Sequence, residues 1–216
     1  MEKIDLKIKK ISRRGNEAYK ALRTNIGFCG EDIKVIAYTS SIPGEGKSMV
    51  SFQTAYSLAD IGKKVVYVDA DLRKSTFIQR YDVQAEIRGL THLLAGKAQK
   101  EDVIYPSNKE GLDVIIAGPV PPNPAELLAN DYFTELVRYL REHYDYAIID
   151  TPPLGNVIDT AIISKNCDGM ILVVAQNTVS YRLVQDVVAQ MENTGCRILG
   201  AVLNKADMND NQYYGK

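Results

Sequence analysis

Near-continuous apolar runs alternate along this chain with segments whose apolar positions recur at helical spacing. The runs are KVIAYTS (34–40), KVVYVDAD (64–71), LDVIIAG (112–118), YAIIDTP (146–152), GMILVVA (169–175) and RILGAVLN (197–204). Runs this rich in Val and Ile predict strands covered on both faces, and their alternation with helical segments predicts a mostly parallel β-sheet with helices on both sides. In such α/β folds ligands gather at the carboxyl ends of the strands. Those ends carry Ser40 and Ser41, Asp69 and Asp71, Asp150, and Asn204. One ligand crevice would use that set.

The connections add detail. AGPVPPNPAELL (117–128) is a rigid proline-rich loop in which Pro124 suits the opening of a helix running toward His143. The final ADMNDNQYYGK (206–216) has the polarity of a disordered tail and carries Tyr213 and Tyr214. Tyr38, Tyr67 and Tyr146 lie inside apolar runs and are expected in the core. His92 and His143 have no triad or metal-ligand partner by spacing and are expected to be structural or exposed.

With 216 residues the chain is expected to form one domain over 1–207 that includes a basic N-terminal helical region, with 208–216 as a flexible tyrosine-bearing tail. A formal net charge of -1 argues against bulk nucleic-acid binding. The first 24 residues are nonetheless basic, with Lys3, Lys7, Lys9, Lys10, Arg13, Arg14, Lys20 and Arg23 against Glu2, Asp5 and Glu17. That start fits a solvated face, an anionic membrane surface or an acidic partner. Cys29, Cys167 and Cys196 form no zinc or disulfide pattern, which suits a reducing cytoplasm. No apolar run is long enough for a transmembrane segment, so membrane association is expected to come through a partner.

The chemistry concentrates in three places. In AYTSSIPGEGKSMVS (37–51) a strand leads into a glycine-bearing turn and then a helix beginning near Lys47. Amides at that helix start can face an anion, Gly44 and Gly46 permit close approach, Lys47 can reach β- and γ-phosphates, and Ser48 can ligate Mg²⁺. Ser41 stands where the first glycine of a GxxxxGK[ST] loop is expected, so it must adopt whatever backbone angles the loop needs there. Asp69 and Asp71, at the end of the second run, alternate to one side of a strand; Asp71 suits the metal shell and Asp69 the removal of a proton from an attacking hydroxyl. Asp150, before Thr151-Pro152-Pro153, is placed like the acid that holds Mg²⁺ through water in P-loop enzymes. A tyrosine hydroxyl, with a pKa of ~10, becomes a useful nucleophile as its proton is removed during attack.

Together SSIPGEGKS (40–48), VVYVDADLR (65–73), YAIIDTPP (146–153), GPVPPNPAELL (118–128), EAYKALRTNI (17–26) and the tyrosine tail resemble the bacterial tyrosine kinases of capsular and exopolysaccharide systems, in the form of a separate cytoplasmic kinase subunit. The resemblance covers nearly the whole chain and implies a P-loop NTPase fold that uses ATP and Mg²⁺. It implies ATP contacts at Ser41, Pro43, Gly44, Glu45, Gly46, Lys47, Ser48 and Met49, catalytic roles for Lys47, Asp69 and Asp71, and metal ligation by Ser48, Asp71 and Asp150. It further implies autophosphorylation between subunits at Tyr213 and Tyr214, control of polysaccharide synthesis and export, and a membrane-spanning adaptor of the polysaccharide co-polymerase type that activates the kinase and holds it at the membrane. The family's ExxRxxR self-association motif appears as Glu17, Lys20 and Arg23, with Lys replacing the central Arg, and Lys does not reproduce a bidentate contact. A ParA- or MinD-like ATPase acting by ATP-dependent dimerisation is the alternative. Those proteins carry a second loop lysine where Ile42 stands, and they lack the tyrosine tail. A nucleotide-binding regulator without transfer activity ranks last, since every acid that catalysis needs is present.

Overall fold

A computed structural model describes residues 3–83, 87–154 and 158–206. All six apolar runs form strands: β1 (Val35–Ser40), β2 (Val65–Asp69), β4 (Leu112–Ile115), β5 (Tyr146–Asp150), β6 (Gly169–Ala175) and β7 (Ile198–Asn204). A short β3 (Tyr105–Pro106) completes a seven-stranded sheet of order β3-β4-β2-β5-β1-β6-β7. Every pairing is parallel except β3 with β4. The sequence gives no sign of β3, which has two residues and a proline. Proline, lacking an N–H, is tolerated there because β3 is an edge strand.

Strand alternation divides the core into two layers. Ile36, Tyr38, Val65, Tyr67, Val114, Ile148 and Ile171 face one layer, packed with α1 (Arg13–Gly27), α2 (Lys47–Ala59) and α3 (Phe77–Tyr81). Val35, Ala37, Val66, Val68, Ile149 and Leu172 face the other, beneath α4 (Leu90–Leu94), α5 (Pro124–Leu128), α6 (Asp131–His143), α7 (Asp159–Ser164) and α8 (Tyr181–Asn193). Tyr38 and Tyr67 are buried as expected, while Tyr146 is half-buried. Phe52, Tyr67, Phe77 and Tyr81 form one aromatic cluster, with Phe52 and Tyr67 edge to face at 5.3 Å. That cluster fixes α3, and with it the 71–76 loop, against α2.

Two expectations are corrected. The helix opened by Pro124 does not run through to His143, because the chain breaks at Ala129-Asn130 and restarts as α6. Asn130 provides the reason: its side-chain oxygen accepts from Phe133 N and its amide donates to Leu94 O at 2.8 Å, so it caps a new helix and ties it to α4. The basic start is helical only from Arg13, where Ser12 accepts from Gly15 N. Residues before it form an extended strap that buries Ile4 and Leu6, with Ile4 N donating to Pro106 O and Lys7 N to Tyr81 O.

Candidate functional site

The site lies at the carboxyl ends of β1, β2, β5 and β7. Between β1 and α2 the chain turns through residues 41–46, with Gly44 at φ 88° and Gly46 at φ 90°. A Cβ on Gly46 would lie 2.1 Å from Asn204 Nδ2, so glycine is required there by both backbone angle and space. Ser41 is not among the residues with positive φ; the position of the absent first glycine demands no left-handed backbone. The amides of Gly44, Glu45, Gly46, Lys47 and Ser48 have no protein acceptor among the described residues. Five consecutive unpaired amides at the start of a thirteen-residue helix form an anion cradle. They open onto a cleft of about 550 Å³ lined also by Pro43, Met49, Asp71, Arg73, Pro152 and Lys205.

Lys47 and Asp150 are both buried, and Lys47 Nζ donates to Asp150 Oδ1 at 2.8 Å. Asp150 also accepts from Ser51 Oγ at 3.1 Å, and Ser48 Oγ lies 3.3 Å from Lys47 Nζ. The β2–β5 register sets Asp69 directly beside Asp150. Asp69 is buried, accepts from the Ser75 hydroxyl and, at 3.3 Å, from Asp71 N, and Asp71 Oδ1 accepts from Lys74 N at 3.0 Å. Burial first, and the neighbouring Asp150 charge second, push the Asp69 pKa up to about 7. Asp69 can therefore take a proton near neutral pH. A serine hydroxyl and two carboxylates of this kind are the hard oxygen donors that Mg²⁺ prefers, so Ser48, Asp71 and Asp150 fit the expected metal.

The shift has a consequence for stability. Because its pKa lies above the ordinary 3.8, folded Asp69 holds its proton where the unfolded chain has lost it, so stability falls as pH rises from ~4 to ~7 and stays reduced above. Asp69→Asn is expected to raise stability at pH 8 by a few kcal/mol, at about 1.4 kcal/mol per pKa unit, and by little at pH 4. Urea unfolding at both pH values, without nucleotide or divalent cation, checks this. An equal effect at both would remove the Asp69 explanation.

Several contributions were not apparent from sequence. The buried Glu45 carboxylate faces inward, with Oε2 accepting from Ser41 N at 2.7 Å and Ile42 N at 2.9 Å, and Oε1 from Ala175 N at 3.1 Å. Asn204 Nδ2 donates to Glu45 O at 2.8 Å and Lys205 Nζ to Gly44 O at 2.7 Å, clamping the end of β7 to the loop. Arg73 donates through Nε and Nη2 to Asp159 at 2.8 and 2.9 Å, joining the 71–76 loop to α7 across the cleft. Asp159 is fully buried whereas Arg73 is 42% exposed. Arg73→Gln, which strands a buried carboxylate, should therefore cost about 2 kcal/mol, and Asp159→Asn under ~1 kcal/mol because Arg73 can turn to water. Thermal denaturation of the two variants measures the asymmetry.

Other candidates are dispersed. Glu17 and Lys20 form an exposed ion pair at 2.7 Å on α1, while Arg23 donates to Ser57 O at 2.9 Å on α2 of its own chain. Tyr213 and Tyr214 lie outside the described residues. His92 accepts from Gly89 N and His143 is exposed, as expected of residues without a chemical role.

A family model described as "AAA domain" matches residues 33–198. The tyrosine-protein kinase CpsD of Streptococcus agalactiae is 40% identical over 221 residues, which covers 100% of this chain and 96% of that protein. Among solved structures, the kinase domain of Escherichia coli tyrosine kinase ETK superposes with a TM-score of 0.83 at 34% identity, covering 89% of this chain and 77% of that one. The septum site-determining protein MinD from Pyrococcus horikoshii OT3, complexed with Mg-ADP, gives a TM-score of 0.70 at 25% identity, covering 82% and 72%.

Proposed function

The chain belongs to the bacterial tyrosine kinase family, and we propose that it transfers the γ-phosphoryl group of ATP to tyrosine, with Tyr213 and Tyr214 of a neighbouring copy as acceptors. The observation that carries this reading is Asp69, a buried carboxyl with a pKa near 7 beside the Lys47–Asp150 pair, in a small pocket that shares Ser48, Asp71, Lys74, Thr76 and Arg80 with the amide-lined cleft. An ATPase that activates only water has no need of an acceptor tail; a phenol needs a base and an open approach. Bound MgATP supplies the phosphoryl group and the divalent charge. The amides of 44–48 and Lys47 hold its phosphate oxygens, Ser48, Asp71 and Asp150 hold the metal, and Asp69 accepts the tyrosine proton.

Residues 1–207 act as the kinase domain and 208–216 as the acceptor segment. Among the described residues no helix is long and apolar enough to cross a membrane. By its family resemblance, we infer that the protein works in the cytoplasm, held at the membrane by a membrane-spanning adaptor of the polysaccharide co-polymerase type. Its phosphorylation regulates capsular or exopolysaccharide synthesis and export, each phosphate adding about 1.5 to 2 negative charges that loosen self-association.

The MinD likeness supports a second reading, an ATPase working by nucleotide-dependent dimerisation. Ile42 weighs against it, because its half-buried position holds no lysine and its amide is already bound by Glu45. The experiment is incubation with Mg²⁺-ATP, with and without the adaptor's cytoplasmic segment, followed by phosphosite mapping by mass spectrometry. Phosphate on Tyr213 or Tyr214, lost when both are Phe, supports the kinase. Sustained ATP turnover without phosphotyrosine in either condition transfers the assignment to the ATPase.

A further inference from the structure

Beside the ATP cleft lies a second trough of about 570 Å³, bounded by the N-terminal strap, α2 and α3. Its lining includes Lys7, Lys9, Gln53, Gln79 and Arg80 and contains no carboxylate among the described residues. Lys7 is paired with Asp82, but Lys9 and Arg80 are exposed and make no ion pair among the described residues. The trough is not isolated. It shares Met49, Thr76 and Arg80 with the ATP cleft, and Lys9, Ile11 and Gln53 with a groove of about 910 Å³ between the strap, α1 and α2. Arg80 also lines the small inner pocket that holds Asp69. Arg80 therefore borders the trough, the ATP cleft and the pocket of the carboxyl that accepts the phenolic proton, while Lys9 lines the strap side of the trough.

We propose that this trough is the acceptor-docking site and that it selects tyrosines preceded by carboxylates, in particular the 207–216 segment of a second copy. Resting on the kinase reading above, it adds the substrate class and the surface that reads it. The charge match comes from the sequence: Asp207 and Asp210 lie six and three residues before Tyr213, and the segment carries no cation until Lys216. Three extended residues span at most ~10–11 Å, so a tyrosine at Asp69 places the carboxylate three positions earlier within reach of the neighbouring trough. Arg80 then binds that carboxylate near the reacting centre, and Lys9 binds the one further upstream. Complementary charges of this kind set encounter rate and register more than raw affinity. Nucleotide phosphates are served by the loop amides and Lys47, leaving Lys9 free for this use.

The test pairs a kinase copy carrying Tyr213→Phe and Tyr214→Phe with an acceptor copy carrying Lys47→Met, so that phosphotyrosine arises only in the acceptor. Adding Lys9→Glu or Arg80→Glu to the kinase copy is expected to raise the acceptor KM about tenfold with a smaller change in kcat. Lys9→Glu should leave ATP affinity within about twofold. Asp210→Lys in the acceptor should impair the unmodified trough and recover most of the loss against Arg80→Glu. An unchanged KM, or no recovery by the charge exchange, overturns the docking site. Absence of phosphotyrosine with the unmodified trough overturns the kinase reading instead. Fluorescence anisotropy of a labelled 207–216 peptide then decides docking separately: weaker binding to Lys9→Glu than to wild type supports it, and equal binding overturns it.

Discussion

Lys47→Met is expected to lower phosphotyrosine formation by at least ~10³-fold, the upper part of the range for removing a charge-stabilising donor from a pre-organised site. Nζ is buried with Asp150 at 2.8 Å, and Asp69 is the register neighbour of Asp150. With Met there, the ammonium charge at the triphosphate is lost and the metal alone faces these acids, so ground-state binding and transition-state charge both suffer. The protein without nucleotide should also weaken by about 2–4 kcal/mol, because among the described residues the Asp150 carboxylate keeps only the Ser51 hydroxyl as a partner. Lys47→Arg should rescue little, since a planar guanidinium does not fit the space of a compact ammonium. Phosphosite mapping, ATP titration calorimetry and thermal denaturation measure the three effects. Retention of more than a tenth of wild-type transfer would show that Lys47 is not the phosphate-contacting cation.

Glu45 should produce the next largest effect, through loop shape and not contact with the reacting atoms. Its carboxylate is the common acceptor for Ser41 N, Ile42 N and Ala175 N. Glu45→Ala leaves the buried amides of Ser41 and Ala175 and the half-buried amide of Ile42 without this partner, at roughly 1–3 kcal/mol for each buried one, so a loss of at least ~3 kcal/mol is expected. Glu45→Gln is the sharper test: the side chain keeps its size but offers one oxygen, and its NH₂ must turn toward an N–H. ATP affinity should fall about tenfold or more in Glu45→Gln while kcat at saturating ATP falls less, because the cradle is misplaced but Lys47 and Asp69 are intact. Equal ATP affinity in Glu45→Gln and wild type would mean that the loop holds its form without this carboxylate.

Six strands and α2 were legible because each is a contiguous run with its own chemistry: Val and Ile between turn residues, or Gly46-Lys47-Ser48 opening a helix. The strap was harder. Ile4, Leu6 and Ile8 alternate with charged residues as an extended segment should, but the lysines between them continue into the basic helix that follows, and composition alone does not separate the two. For the candidate site, the proximity of Asp69, Asp71 and Asp150 to Lys47 was legible because strand-end position, and the glycine turn opening α2, are themselves signals. Partnerships across long separations were not. Glu45 meets Ala175 over 130 residues, Arg73 meets Asp159 over 86, and Arg23 turns to Ser57 instead of standing free beside Glu17 and Lys20. Side-chain hydrogen bonds of that kind depend on sheet order, which no local pattern encodes.

The pairing of Asp69 with Asp150 across β2 and β5 constrains how genes for this fold can change length. Side chains alternate between faces along a strand, so inserting or deleting one codon within Val65–Asp69 would turn Asp69 from the crevice, rotate Tyr67 out of the aromatic cluster, or both. Conservative exchanges among Val and Ile in the same five positions leave both in place. Length variation is therefore expected to accumulate in the turns at 95–97 and 194–195, while the central strands vary only in side-chain volume.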